Sequence, residues 1–280
     1  MSIKFEKKTN TFLLKTNDYL YAFCITKNKY LRHLYFGSNK VKEIPILPIT
    51  NEHDPYLKQN LEDRFTLSGL PNEYSSFGIG DYREVAIKYT LLDGSRNNDL
   101  RFESYSINES KTQLKTMPSL RGNNELIITL KDENVIVELH YSVYEKENII
   151  TRFVIIKNKG DKITLNTAYS FCLDLKNPHQ VISLNGQWAN ERSIVKHYVN
   201  QSILVIDSKR GFTSAQTNNF IAITDKKTNE DEGLAIGLNL VYSGSFAFKC
   251  EHTPYNDFRV VGGINDFDFE YALDSGESFE

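Results

Sequence analysis

Only three cysteines, Cys24, Cys172 and Cys250, occur in the 280 residues. They lie far apart, are odd in number and form no CxxC unit, which argues against a disulfide framework and a cysteine zinc site. Each sits in an apolar, strand-like run, so buried free thiols are expected. The six histidines are scattered with no HxH or HExxH spacing, so no metal site is expected. Gly78-Ile79-Gly80 lacks the further glycine and the helix of a phosphate loop, and no Gly-x-Ser-x-Gly elbow occurs. Charge of one sign is also missing. With 33 basic and 36 acidic residues and no basic run, nucleic acid is not an expected partner. No apolar stretch approaches the length of a membrane span, so no membrane partner is expected either. The Met1-Ser2-Ile3-Lys4-Phe5-Glu6 start has no apolar core of signal-peptide length, and the expected location is cytoplasmic.

Helical periodicity is absent too. Alanine and leucine never recur at helical spacing over three or four turns, whereas β-branched and aromatic runs fill the chain. Examples are Tyr19 to Thr26, Leu126 to Leu130, Val135 to Tyr144, Ile149 to Ile156, Ile163 to Leu175 and Gly237 to Tyr242. Alternation places Val135, Val137, Leu139 and Tyr141 on one face. It sets Thr151, Phe153 and Ile155 against Arg152, Val154 and Ile156. Turn signals separate the runs: Asp93-Gly94, Lys159-Gly160-Asp161, Glu232-Gly233 and Asp274-Ser275-Gly276. Sixteen Tyr and 17 Phe against two Met suit sheet-on-sheet packing. The reading is all-β, a single domain over residues 1–280 built as a large antiparallel β-sandwich. About eighteen strands exceed an immunoglobulin-sized sandwich, and no blade-length repeat supports a propeller.

Residues 41–79 break the pattern. They carry Pro45, Pro48, Pro55 and Pro71 and few alternating runs, and read as a long excursion over the surface. Its polar side chains include Asn51, Glu52, His53, Asp54, Asp63 and Arg64. It is either a solvated loop or a functional one.

Two motifs offer chemistry. Trp188, the sole tryptophan, lies between Asn185-Gly186-Gln187 and Ala189-Asn190-Glu191-Arg192. One reading is a half-buried packing ring at a strand end. The other is a sugar platform, because the C–H face of a pyranose sits well on an aromatic face while flanking amides and carboxylates bind its hydroxyls. Gly186 would let the backbone bend so that the ring projects. In Asp81-Tyr82-Arg83-Glu84, alternation puts Asp81 and Arg83 on one face, close enough to pair. The pair is either a structural one at a sheet edge or an Arg held by Asp to face a ligand or another domain. Lys209-Arg210-Gly211-Phe212-Thr213-Ser214 and Arg259 with Gly262-Gly263 read as turn and close-approach positions. No motif singles out the two carboxylates that a glycosidase needs.

Leu70-Pro71-Asn72-Glu73-Tyr74, Gly80-Asp81-Tyr82-Arg83, Trp188-Ala189-Asn190-Glu191-Arg192 and Tyr242-Ser243-Gly244, in that order, resemble the N-terminal domain of family-36 α-galactosidases. The likeness runs from Leu34-Tyr35-Phe36-Gly37 to Phe279. Two departures stand out: Asn218-Asn219-Phe220 where the family has Asn-Pro-Phe, expected to alter only a turn, and Ser245 where it has Asn after Tyr-Ser-Gly. The resemblance implies a β-supersandwich and a part in retaining hydrolysis of terminal α-galactosides such as melibiose and raffinose. The catalytic aspartates lie in a (β/α)8 barrel beyond the last motif, so the chain alone is expected to be inactive. It implies no metal or organic cofactor and a homo-oligomer in which loops of this domain wall a neighbour's pocket. Trp188 matches a sugar-contacting position, with Asp54 and Arg64 as further substrate contacts and Asp81, Arg83 and Glu191 as structural or pocket support. A stand-alone carbohydrate-binding or oligomerisation module is the alternative.

Overall fold

Strand-forming runs separated by tight turns leave the chain little choice but antiparallel pairing. The computed structural model describes residues 2–49, 66–78, 80–176 and 180–280. Among them are nineteen strands in four antiparallel sheets and one 3-10 turn, Leu67–Gly69. All-β sandwich architecture is therefore as expected.

The first sheet is a meander of β1 (Ile3–Glu6), β2 (Thr11–Lys15), β3 (Tyr19–Ile25) and β4 (Leu31–Ser38). It faces the sheet formed by β6 (Arg101–Ser110), β7 (Asn123–Lys131), β8 (Val135–Tyr144) and β9 (Ile149–Asn158), edged by β19 (Ser278–Phe279). Aromatic rings fill the space between them. Phe23 stacks on Tyr141 at 5.4 Å, and Tyr105 meets Phe5 and Phe12 at 4.7 and 5.1 Å. On β8, Val135, Val137, Leu139 and Tyr141 are all buried on one face, and Val154 and Ile156 of β9 point the same way. Both alternations were legible in the sequence.

The six-stranded sheet is built on β10 (Ile163–Lys176), whose bulges let one long strand serve two neighbourhoods. Its first half pairs with β5 (Ile87–Thr90) and β18 (Tyr271–Leu273), and its second half with β17 (Asp257–Ile264). Beyond β17 come β16 (Phe246–His252) and β13 (Ser202–Asp207). The last sheet runs β12 (Asn190–Tyr198), β11 (Gln180–Gln187), β14 (Thr217–Thr224), β15 (Ala235–Asn239). One apolar cluster draws residues from all four sheets, including Phe23, Leu139, Leu165, Phe248, Val181 and Ile221.

Several expectations need correction. The excursion is not wholly a surface loop. Residues 50–65 lie outside the described residues, but after the 3-10 turn Leu70, Asn72, Glu73, Tyr74 and Ser75 thread the interior. Of the turn and close-approach roles read for Gly262 and Gly263, close approach holds and the turn does not. They lie within β17, where a Cβ on Gly263 would come within 2.8 Å of the Ser170 backbone nitrogen. Close approach is their reason. Asn218-Asn219 sits within β14 rather than at a turn, and the Asn219 amide donates to the Leu240 and Tyr242 carbonyls at 2.5 and 3.0 Å. The thiols agree better with the reading: all three are free, with Cys172 and Cys250 buried and Cys24 half-buried.

Candidate functional site

The sequence motifs divide into a buried set and an exposed set. Asp81 and Arg83 do pair, with Arg83 Nε donating to Asp81 Oδ1 at 2.9 Å. They do so on an irregular segment inside the molecule, not on a strand at a sheet edge, which corrects that reading. Arg259 donates to Asp81 Oδ2 at 2.7 Å and grips Asp174 with two bonds of 2.7 Å. Asn72 joins both carboxylates, its backbone N–H donating to Asp174 and its amide to Asp81. Burial alone would raise the Asp81 carboxyl, but the guanidiniums of Arg259 and Arg83 outweigh it and hold it below the usual range. Two arginines and two aspartates thus form a neutral, desolvated quartet.

Glu73, the next residue along, anchors a second cluster. Its carboxylate accepts bonds from Tyr21 and Tyr141 Oη at 2.7–2.8 Å and lies 3.0 Å from Arg152 and 3.1 Å from His33. Arg152 also donates to the Cys172 and Glu73 carbonyls. Asn72 and Glu73 therefore pin one segment to three sheets. Their burial was not legible because their partners lie far along the chain. Asp54 and Arg64 lie outside the described residues.

The exposed set centres on the β11–β12 hairpin and the loops hydrogen-bonded to its foot. The β11–β12 hairpin carries Trp188 at its tip, 89% exposed, so the half-buried alternative fails. Ala189 and Arg192 take left-handed φ of 61° and 59° without being glycine, a cost that tends to collect at functional sites. Gly186 serves close approach rather than bending: a Cβ there would sit 2.2 Å from the Asn190 carbonyl oxygen. Glu191 follows on the exposed strand. The foot of the hairpin is tied down, with Asn185 Nδ2 and Gly186 N both donating to the Gln216 carbonyl. From there Thr213 N donates to Ser243 O, Gly211 N donates to Ser245 Oγ, and Asn265 Nδ2 donates to the Asp207 carboxylate and the Ser208 and Phe246 carbonyls. Ser245 thus keeps a hydrogen bond at the position where the resemblance has Asn. Phe212 and Phe267 are exposed on the same braced loops, and Lys209 lies over the Phe267 ring at 4.6 Å. The sequence reading missed Phe212 and Phe267 as exposed rings.

An exposed aromatic on a braced, strained hairpin can pack against the apolar face of a ring-shaped polar molecule. Among the described residues, no group of three or more His, Cys, Asp or Glu is placed to hold a metal ion. No helix there is long and apolar enough to cross a membrane.

Residues 29–274 match the family described as the glycosyl hydrolase family 36 N-terminal domain. The chain belongs to that family. Among relatives of this family-36 domain, the bifunctional α-galactosidase/sucrose kinase AgaSK of Mediterraneibacter gnavus is 33% identical over all of this chain. The crystal structure of α-galactosidase AgaB from Geobacillus stearothermophilus superposes with a TM-score of 0.93 at 32% identity, covering 100% of this chain. A substituted AgaA from the same organism, solved in complex with raffinose, gives a TM-score of 0.90 at 32% identity over 96% of this chain. The family-36 domain spans 31% of AgaSK, 40% of AgaB and 39% of AgaA.

Proposed function

We propose that this chain serves as the N-terminal domain of a retaining hydrolase of terminal α-D-galactosides of the melibiose and raffinose type. Its Trp188 hairpin supplies an aromatic wall to the substrate pocket of a neighbouring subunit in a homo-oligomer. Bond cleavage belongs to two aspartates of a barrel domain, and this domain orients substrate and assists assembly. The observation that carries the reading is the nearly full exposure of Trp188 on a hairpin braced through Gln216. A ring that large is left in water at a cost unless something is meant to cover it. Asp81 and Arg83, being buried and mutually satisfied, support the scaffold and do not meet substrate.

The test is Trp188→Ala in the complete enzyme. KM for raffinose should rise about tenfold, the loss of roughly 1.4 kcal/mol of binding, with the melting temperature unchanged. An unaltered KM removes Trp188 from the pocket. Quenching of Trp188 fluorescence by raffinose in the 280-residue chain alone would favour a module that binds sugar unaided.

A further inference from the structure

Tyr82 lies between Asp81 and Arg83, yet takes no part in their quartet. Its side chain turns outward, 71% exposed, to a cleft of about 380 Å³. That volume is near the lower end for small-molecule sites. One wall is the segment carrying Tyr82, and the other is the β16–β17 turn with Pro254 and Tyr255, the latter 47% exposed. Ile203, at the start of β13, adds a further apolar side chain, 48% exposed.

The polar lining comprises Ser68, Gln201, Ser202, Glu251, His252 and Thr253. Glu251 Oε2 accepts the Glu84 backbone N–H at 2.6 Å, and burial raises its carboxyl above the usual range. His252 Nδ1 is buried and without a hydrogen-bond partner among the described residues, and its ring packs against Phe258, so this atom is closed to a molecule in the cleft. Arg83 offers no free charge. Its Nε is committed to Asp81, Nη1 to Asp174, and Nη2 to the Leu67 and Leu70 carbonyls. Phosphate and carboxylate ligands would find no uncommitted guanidinium there. Aromatic walls beside amide and hydroxyl donors and acceptors match a neutral polyhydroxylated ring.

We propose that the cleft between Tyr82 and Tyr255 is a second sugar site that takes a neutral pyranose, with the Gln201 amide and the Ser202 and Thr253 hydroxyls binding its hydroxyls. It is separate from the Trp188 hairpin, which extends from a different sheet. The choice of sugar as ligand class rests on the hydrolase reading above. Such a site would hold an oligosaccharide or a polymer-bound galactoside on the enzyme between turnovers.

The experiment uses the 280-residue chain carrying Trp188→Ala, so that the hairpin contributes nothing. Saturation-transfer NMR with raffinose and with galactose as probes should show binding that persists in this background. Adding Tyr255→Ala should weaken it about tenfold, whereas adding Tyr255→Phe, which keeps the ring, should preserve it. Far-ultraviolet circular dichroism and melting temperature establish that each variant is folded. Loss of all binding on Trp188→Ala alone would overturn the second site while leaving the hairpin's role intact. Equal binding by the Tyr255→Ala and Tyr255→Phe variants would also overturn it, as would no sugar binding by either background.

Discussion

Arg259 is the bulkiest of the fully buried side chains among the described residues, and its charge is balanced by two carboxylates rather than by solvent. Such a group is held more by the penalty of breaking its network than by net attraction. Arg259→Met should leave Asp81 and Asp174 sharing only Arg83 and cost about 3–5 kcal/mol, read as a lower urea midpoint at constant slope. A loss under 1 kcal/mol would show that the carboxylates find water. The Asp81–Arg83 pair was legible from two residues of sequence. Arg259, 178 positions from Asp81, was legible only as a charge beside glycines.

At the scale of the element, β8 shows what alternation can and cannot tell. Its apolar face was read correctly, but the opposite face is buried as well at His140 and Ser142. The chain between β6 and β7 reaches that face, where the Thr112 backbone N–H and hydroxyl both donate to Glu125. His140 lies 3.2 Å from Glu125 and 3.7 Å from Glu138 and stacks on Phe153 at 4.3 Å. The His140 imidazole, and then Lys157, hold the Glu138 carboxyl at about 2 against the opposing effect of burial. A carboxyl depressed on folding contributes stability that is complete above its unfolded value, near 4.5, and is lost as pH falls toward about 2. Glu138→Gln should therefore flatten the fall of melting temperature with pH across that window. A curve parallel to the parent's would place the acid sensitivity elsewhere. The imidazole works the other way: burial opposes its charge, but Glu125 and Glu138 raise its pKa. Its contribution is present below about 6.5 and is lost as pH rises through the raised folded value.

Over the whole molecule, the continuous apolar cluster joins all four sheets and the two buried charge networks join three of them. Buried groups shared in this way make it costly to open one sheet alone. Calorimetry should give a single transition with equal van't Hoff and calorimetric enthalpies. Two resolved transitions would divide residues 1–280 into independent units. The two candidate sugar surfaces would then be tied to different units, since the hairpin belongs to the β11–β12 sheet and the cleft to the β13–β16–β17 sheet.

The all-β class, the faces of β8 and β9, the pairing of Asp81 with Arg83 and the motif order that marks family 36 are all readable from the linear chain. These are local or period-two properties, written in neighbouring residues. It took the folded molecule to show that Leu70 to Ser75 run through the interior, that Trp188 stands in solvent and that Tyr82 faces a cleft with Tyr255. Each of those outcomes depends on partners brought from distant strands, whose burial and charge compensation no local pattern encodes.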